Sequence, residues 1–316
     1  MLHSGLSTGN VPESGGRNAR GATVSETQRT AKRGEPGTRA GKHSTQRNTA
    51  GVIRRGTPSR AASGDKPKLW IVLPDIHLPN EEPTVINPLL RYLASERWDG
   101  AIILGDLMDL NVISSHNDKF PRLTQGQTFR ADIDYTNEWL DGFCRTARKR
   151  NPAAKLVYLE GNHEYRVERY LDANPRLEGT MELAERLRLK ERGIDWVRSW
   201  SKGEVFTLGH ANFVHGDTCS VYHAAKMVKD YGANVFYGHT HDVQEYSMHR
   251  KARGVTIKGK SLGCLCKYDP EWFRGRAHRW QHAFGVFYVW PDGIFQEYTV
   301  HIQNGRFTAP TNGVVY

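Results

Sequence analysis

Five short blocks rich in aspartate, asparagine and histidine punctuate the sequence, and each comes directly after an apolar run. They are DIH at 75–77, GDLMD at 105–109, GNHE at 161–164, HGD at 215–217 and GHTH at 238–241. Carboxylate, amide and imidazole groups form a mixed oxygen and nitrogen ligand set, which suits Mn²⁺, Fe or Zn²⁺. One such block is a weak signal, whereas five in one chain predict a metal site.

The apolar runs before these blocks predict the strands that position them. The runs are KLWIVLPD ending at Asp75, GAIILGD at Asp106, KLVYLEGN at Asn162, the pair EVFTLGH and ANFVHGD leading to His215, and ANVFYGHTH ending at His239 and His241. The carboxyl ends of strands in an α/β sheet share one edge, so the blocks should meet in one small volume. Without partners, so many carboxylates and imidazoles would cost on the order of several kcal/mol, a cost that divalent cations remove.

Helical spacing of apolar residues predicts helices over residues 131–149, 181–192 and 221–231, the second as a solvated surface helix. Strands that alternate with helices indicate an α/β fold. The C-terminal run FGVFYVWPDGIFQEYTVHI contains two alternating segments around Pro291-Asp292-Gly293. Such a pattern predicts a β-hairpin with a tight turn, and therefore an antiparallel part of the fold.

The first 66 residues differ in composition from the rest. They hold twelve Lys and Arg but only four Asp and Glu, which accounts for +8 of the net charge of +10. Too little apolar surface is present to offset the entropy of ordering, so we predict a disordered basic tail over 1–66 and a catalytic domain over 67–316. The tail either contacts nucleic acid through phosphate neutralisation or serves as a solubilising linker.

The sequence also bears on the location of the protein. No apolar run is long enough to span a membrane, so no membrane partner is expected. The four cysteines, Cys144, Cys219, Cys264 and Cys266, fit a reducing compartment better than a disulfide framework. We therefore predict a soluble, cytoplasmic protein of undetermined oligomeric state.

Taken together, the five blocks resemble the signature of the calcineurin-like metallophosphoesterases over roughly residues 68–245. The resemblance implies an α/β fold, in which a double β-sheet sandwich is flanked by helices and carries two divalent metal ions at its strand ends. It implies one metal held by Asp75, His77 and His241, another held by Asn162, His215 and His239, and Asp106 as the bridge between them. Mn²⁺ is the first expectation for both ions, with Fe or Zn²⁺ as the other choices.

Two further residues of the blocks have implied catalytic roles. Two cations about 3.5 Å apart can hold an attacking hydroxide and clamp phosphoryl oxygens. His163 follows the ligand Asn162 without being a ligand itself, so it is the expected general acid for the leaving oxygen. The resemblance implies that Asp109 orients this histidine. The alternative is that His163 is a packing residue.

Two segments bear on the substrate. Leu110-Asn111 follows Asp109, whereas the protein-phosphatase branch has an arginine there, so the chain looks more like nuclease and phosphodiesterase-type members, including those of phages. Asn111 and His116 in this loop are candidate substrate contacts. In the segment 268–282, Arg274 and Arg276 are interleaved with aromatic residues, a pattern in which rings stack on bases and guanidinium groups meet phosphates; the alternative is a loop that packs on the hairpin.

These observations predict a two-metal phosphoesterase that hydrolyses phosphodiester bonds of nucleic acid or nucleotides. Two alternatives stay open. One is a phosphomonoesterase acting on proteins or small molecules. The other is a nucleic-acid-binding protein that uses its metals structurally.

Overall fold

Two mixed β-sheets form the centre of the protein in a computed structural model, which describes residues 66–117, 119–269 and 275–316. The strands of these ranges are β1 (Lys68–Leu73), β2 (Gly100–Ile103), β3 (Lys155–Leu159), β4 (Ile194–Val197), β5 (Phe206–Leu208), β6 (Ala211–Phe213), β7 (Asn234–Tyr237), β8 (Glu245–Arg250), β9 (Val255–Ser261), β10 (Ala283–Val289) and β11 (Phe295–His301). The first sheet has the order β11-β10-β1-β2-β3-β4, and the second has the order β5-β6-β7-β9-β8.

Helices flank the two sheets. They are α1 (Pro83–Ser95), α2 (Phe129–Ala147), α3 (Tyr165–Ala173), α4 (Leu183–Arg186), α5 (Ser199–Lys202) and α6 (His223–Tyr231). Short 3₁₀ turns occupy Asn111–Ile113, Ser115–Asn117, Pro121–Thr124, Pro175–Leu177 and Lys251–Arg253. The arrangement confirms the predicted α/β sandwich of two sheets flanked by helices.

The central strands are apolar along their whole length because both of their faces are buried. On β1, Trp70 and Val72 face inwards and pack with Phe213 and Phe236 of the second sheet. The alternate residues, including Ile71, point outwards into the core beneath the helices. Each fully buried side chain of this kind contributes about 1.5–3 kcal/mol, so the two cores hold the strand ends in a fixed register.

Strands β1, β2 and β3 run parallel, as do β6 and β7, so their carboxyl ends point the same way within each sheet. The C-terminal hairpin is confirmed, since β10 and β11 pair antiparallel around a turn in which Gly293 N donates to Trp290 O over 2.9 Å. Strand β10 also pairs antiparallel with β1. The C-terminal hairpin thereby extends the first sheet.

The predicted surface helix over 181–192 is wrong. Only Leu183–Arg186 is helical, and the helix is interrupted where Arg188 adopts a left-handed backbone with φ 47°. Leu183, Leu187 and Leu189 are all buried in the core rather than solvated. A solvated surface helix could not bury all three leucines. The chain instead leaves the helix after Arg186 and continues into β4.

The predicted disordered tail lies outside the described residues except for Lys66. Within the described residues, no helix has both the length and the apolar character needed to cross a membrane.

Candidate metal centre

The ends of five strands bring the polar blocks to one place. His77, after β1, has its Nε2 atom 3.0 Å from His241 Nε2, after β7. Asn162, after β3, has its Oδ1 atom 3.0 Å from His215 Nε2 and 2.7 Å from His239 Nδ1. The structure therefore brings together ligand types that are far apart in the chain, such as His77 and His241.

The Asp106 carboxylate lies between two groups of potential ligand atoms. One group contains Asp75, His77, Asp106 and His241, and the other contains Asp106, His215 and His239; in each, the atoms lie within 4.8 Å of one another. Asp106 Oδ2 is 3.7 Å from His77 Nε2 and 3.3 Å from His215 Nε2. Asn162 joins the second group through its contacts with His215 and His239.

These spacings fit divalent cations. Two ligand atoms about 2.0–2.2 Å from one ion, at angles of about 90–110°, are separated by about 2.8–3.6 Å. The contacts of 3.0 Å between His77 and His241, and of 3.3 Å between His241 Nε2 and Asp75 Oδ1, lie in that range. Two imidazole nitrogens facing each other make at most one hydrogen bond between them, whereas a cation satisfies both lone pairs. The residues present therefore fit a pair of metal ions.

The backbone of the centre is held in an uncommon conformation. Asp75, His77, Asp106, His239 and His241 all have left-handed backbones, with φ between 44° and 68°. Such residues are rare outside glycine and are retained where the surroundings over-determine them. Here hydrogen bonds provide that restraint: His77 N donates to Asp106 O over 2.9 Å, and His239 N donates to Asp75 Oδ1 over 2.9 Å.

Two glycines after the strands lie in close contact with acidic ligands. A Cβ atom on Gly161 would lie 2.2 Å from Asp106 Oδ1, and one on Gly238 would lie 2.2 Å from Asp75 Oδ2. Any side chain at either position would push a carboxylate out of the centre. These glycines therefore allow neighbouring loops to approach the acidic ligands closely.

The Glu164 carboxylate has a structural role in the third block. It is buried, and it accepts hydrogen bonds from the backbone amides of Asp106, Met108 and Gly161 and from the hydroxyl of Tyr158, over 2.7–3.0 Å. Burial and the charge of Asp106 raise the pKa of Glu164, and the bonds from Met108 and Tyr158 oppose that shift. Glu164 thus fixes the second block against the third.

The electrostatics of the centre depend on Asp106. Burial raises the pKa of its carboxyl, but the surrounding histidines outweigh burial and hold the pKa well below its usual range. Burial disfavours protonation of His215, yet Asp106 raises the pKa of that histidine to about 10. For His239, burial and the nearby His215 lower the pKa to about 4. Because a histidine ligand must be neutral, metal binding at His215 would compete with protonation of its imidazole.

Asp109 and His163 lie beside the ligands. His163 Nδ1 is 2.9 Å from Asp109 O and 3.2 Å from Asp109 Oδ1, and Asp109 Oδ1 is also 3.5 Å from His77 Nδ1. Burial opposes ionisation of Asp109, but hydrogen bonds from His163 and His77 hold its pKa below the usual range. The amides of Asn80 and Asn111 donate to its other oxygen.

The candidate substrate residues lie at different places. Asn111 contacts Asp109, His116 lines two cavities next to the centre, and Arg276 lines a cavity with Asp109 and His163. Arg274 lies outside the described residues.

Sequence reasoning missed an arginine and an aromatic residue at the centre. Arg166 Nη2 is 3.0 Å from His163 Nε2, and its Nη1 donates to Asp109 O over 2.6 Å. Arg166 lies in the first turn of α3 and its backbone N donates to His163 O over 3.1 Å in the turn before the helix, so closeness in the sequence was the available signal. Trp200 packs its ring centroid 5.3 Å from that of His239, and the sequence around it carries no comparable signal.

Residues 71–243, more than half of the chain, match the family model described as calcineurin-like phosphoesterase. Among curated proteins, none matches the sequence significantly. Similar solved structures include a single mutant of Vps29 from Entamoeba histolytica, at 14% identity and TM-score 0.39, covering 78% of this chain and 96% of that one. Vps29 from Chaetomium thermophilum has 15% identity, TM-score 0.39 and coverages of 79% and 96%. Vacuolar protein sorting 29 from Cryptosporidium parvum has 10% identity, TM-score 0.38 and coverages of 79% and 97%.

Replacing the buried carboxylate of the third block should destabilise the fold. In Glu164→Gln, an amide NH₂ group faces backbone donors that the carboxylate now accepts. We expect a loss of about 2–4 kcal/mol in the free energy of unfolding, measured by urea denaturation. The matched control is Glu168→Gln on α3, the helix that follows Glu164. The Glu168 carboxylate pairs at the surface with Arg198, and this substitution should cost about 0–1 kcal/mol. Equal losses for both variants would contradict the role of Glu164.

Removing the shared carboxylate should affect both groups of ligands. We expect Asp106→Ala to reduce bound Mn²⁺ from about two ions per chain towards zero, and His241→Ala to reduce it by about one. The measurement is elemental analysis after gel filtration, with circular dichroism to verify folding. Asp134→Ala, at a solvated site on α2, is the control. An Asp106→Ala protein that keeps one tightly bound ion would show that Asp106 is not a bridge.

Proposed function

Because the chain belongs to the calcineurin-like phosphoesterases, we propose that it is a two-metal phosphodiesterase that acts on nucleic acid or nucleotides. The observation that carries the proposal is the Asp106 carboxylate, which belongs to both groups of potential ligand atoms. In two-metal sites a shared ligand keeps the ions close enough to act on one phosphoryl group. We place this chemistry in the cytoplasm, a location supported by the four free cysteines.

In this proposal, Asp75, His77 and His241 hold one ion, Asn162, His215 and His239 hold the other, and Asp106 holds both. When bound, two divalent cations supply a water of lowered pKa and neutralise charge on the phosphoryl oxygens. Mn²⁺ is the proposed metal, with Fe or Zn²⁺ as alternatives, since all three accept mixed oxygen and nitrogen ligands.

His163 is the proposed proton donor for the leaving oxygen. Its Nδ1 atom is held by Asp109 over 2.9–3.2 Å, so its Nε2 atom faces the centre, 3.9 Å from Asp106 Oδ2. Fixing one ring nitrogen orients the other towards the substrate. Asp109 is therefore a positioning residue. Arg166 Nη2 donates to His163 Nε2 over 3.0 Å in this arrangement, so that contact is released before His163 Nε2 carries the proton to the oxygen that leaves phosphorus.

A diester is favoured because there is room for a substituent beside the ligands. A cavity of about 520 Å³ extends from His77 and His241 past Lys267, Arg279 and Trp280. The Trp280 ring centroid lies 4.3 Å from that of His241. Cationic groups beside an aromatic ring are suited to a phosphate and a base. This supports a nucleic acid or nucleotide as the partner.

The proposal is tested by hydrolysis of bis-p-nitrophenyl phosphate and p-nitrophenyl phosphate, with Mn²⁺ added to chelator-treated protein. Metal-dependent hydrolysis of the diester is the expected result. Hydrolysis of the monoester alone would replace the proposal with a phosphomonoesterase. If neither compound is hydrolysed while metal is bound, the protein is not this enzyme, and a binding protein with structural metals becomes the better account.

Removing the proton donor should separate catalysis from metal binding. We expect His163→Asn to retain its bound Mn²⁺ and to lose about 10²–10⁴-fold in kcat on diesters with poor leaving groups. The loss should be much smaller on bis-p-nitrophenyl phosphate, whose leaving group needs no proton. His249→Asn, an exposed histidine on β8, controls for the substitution. Equal kcat losses on good and poor leaving groups would argue against His163 as the acid.

A further inference from the structure

A second cavity adjoins the centre and shares Asn162 and His239 with the first. It has a volume of about 790 Å³, begins at Asn162 and His239, and runs along α3 as far as Asn174. A group that occupies this cavity would therefore lie next to a phosphoryl group bound at the centre. We call this space the α3 cavity.

The walls of the α3 cavity are cationic. Arg166 and Arg169 line it, and none of the described residues that line it is an aspartate or glutamate. The two arginines lie three residues apart on one face of α3, about 4.5 Å apart along the helix axis. Because both guanidinium groups are positively charged and line the same space, an anion between them would be attracted to both.

Arg169 is available for such an anion. Its side chain is exposed, and within the described part of the chain its guanidinium makes no hydrogen bond or ion pair. Arg198 and Arg192, by contrast, pair with Glu168 and Asp141. Arg166 is already engaged with His163 and Asp109, so it serves the centre, whereas Arg169 serves the cavity beyond it.

An aromatic side chain stands at the mouth of the α3 cavity. Trp200 lines the cavity and packs against His239. Its neighbours hold it in place, because Ser199 Oγ accepts from His215 N over 3.1 Å and Ser201 N donates to Glu160 Oε2 over 2.8 Å. Two tyrosines, Tyr165 and Tyr170, line the same space. A rigid ring beside a cation is the arrangement that binds one nucleotide of a single strand.

From these features, and on the basis of the proposed function, we infer that the α3 cavity binds the nucleotide next to the scissile phosphodiester of a single-stranded nucleic acid. Arg169 contacts the flanking phosphate, and Trp200 packs against the base. The substrate is then a strand that crosses the centre, with one side in the α3 cavity and the other beside Trp280. A small phosphomonoester would leave the α3 cavity empty.

The test compares two substrates of the Mn²⁺-loaded full chain. One is an octamer of thymidylate or uridylate, which can fill the α3 cavity, and the other is bis-p-nitrophenyl phosphate, which has no flanking phosphate. We expect Arg169→Ala to lower the ratio of kcat/KM values, octamer over bis-p-nitrophenyl phosphate, by about tenfold. Arg169→Lys should recover part of that ratio, because the charge is kept. Arg176→Ala, an exposed arginine outside the cavity, should leave the ratio unchanged.

Salt dependence provides a second readout that a structural defect would not produce. Loss of one phosphate contact on a single strand should reduce the slope of log(kcat/KM) against log[salt] by about 0.7 in Arg169→Ala. An unchanged ratio and slope would overturn the inference. Hydrolysis of bis-p-nitrophenyl phosphate without cleavage of either octamer would overturn it while leaving the phosphodiesterase in place. No hydrolysis of any substrate would overturn both.

Discussion

The Asp106 carboxylate is the group on which the rest of the centre depends. It lies within 3.7 Å of histidines that follow β1 and β6, and its other oxygen accepts from His163 N over 2.9 Å. A carboxylate buried so deeply is stable only when positive charge or hydrogen-bond donors surround it. The histidines, the backbone amides and the proposed metals all meet this one requirement. The strand ends therefore lie close together around the Asp106 carboxylate.

That close approach has a conformational cost, which the two cores offset. Five of the seven candidate ligands have left-handed backbones, each costing on the order of 1–3 kcal/mol. The strain persists because the strands before these residues are packed on both faces, with Trp70 and Val72 on one side and Ile71 on the other. Strain of this kind holds the ligands ready, since little rearrangement is needed when a cation binds.

One short segment, 161–169, serves several parts of the centre at once. Gly161 leaves space for Asp106, Asn162 faces the second ligand group, and Glu164 turns inwards to fix the loops. The helix that follows carries Arg166 towards His163 and Arg169 towards the α3 cavity. Because a helix repeats its face every three to four residues, α3 can direct one arginine to the centre and another to the α3 cavity, while the proposed proton donor His163 lies in the turn just before this helix.

Local patterns in the sequence were enough to predict the α/β class, the main strands and the polar blocks, because apolar runs that end in ligand-type residues are local features. The double-sheet sandwich was implied by the resemblance to the calcineurin-like metallophosphoesterases. The sequence also predicted the C-terminal hairpin from the turn at Pro291-Asp292-Gly293. It did not reveal α1, where Pro83 and Pro88 obscure the helical pattern, and it assigned a surface helix to leucines that are buried. Only the tertiary structure placed Arg166 and Trp200 at the centre and opened the α3 cavity between them. Such contacts depend on how separate elements pack, and no local spacing encodes that packing.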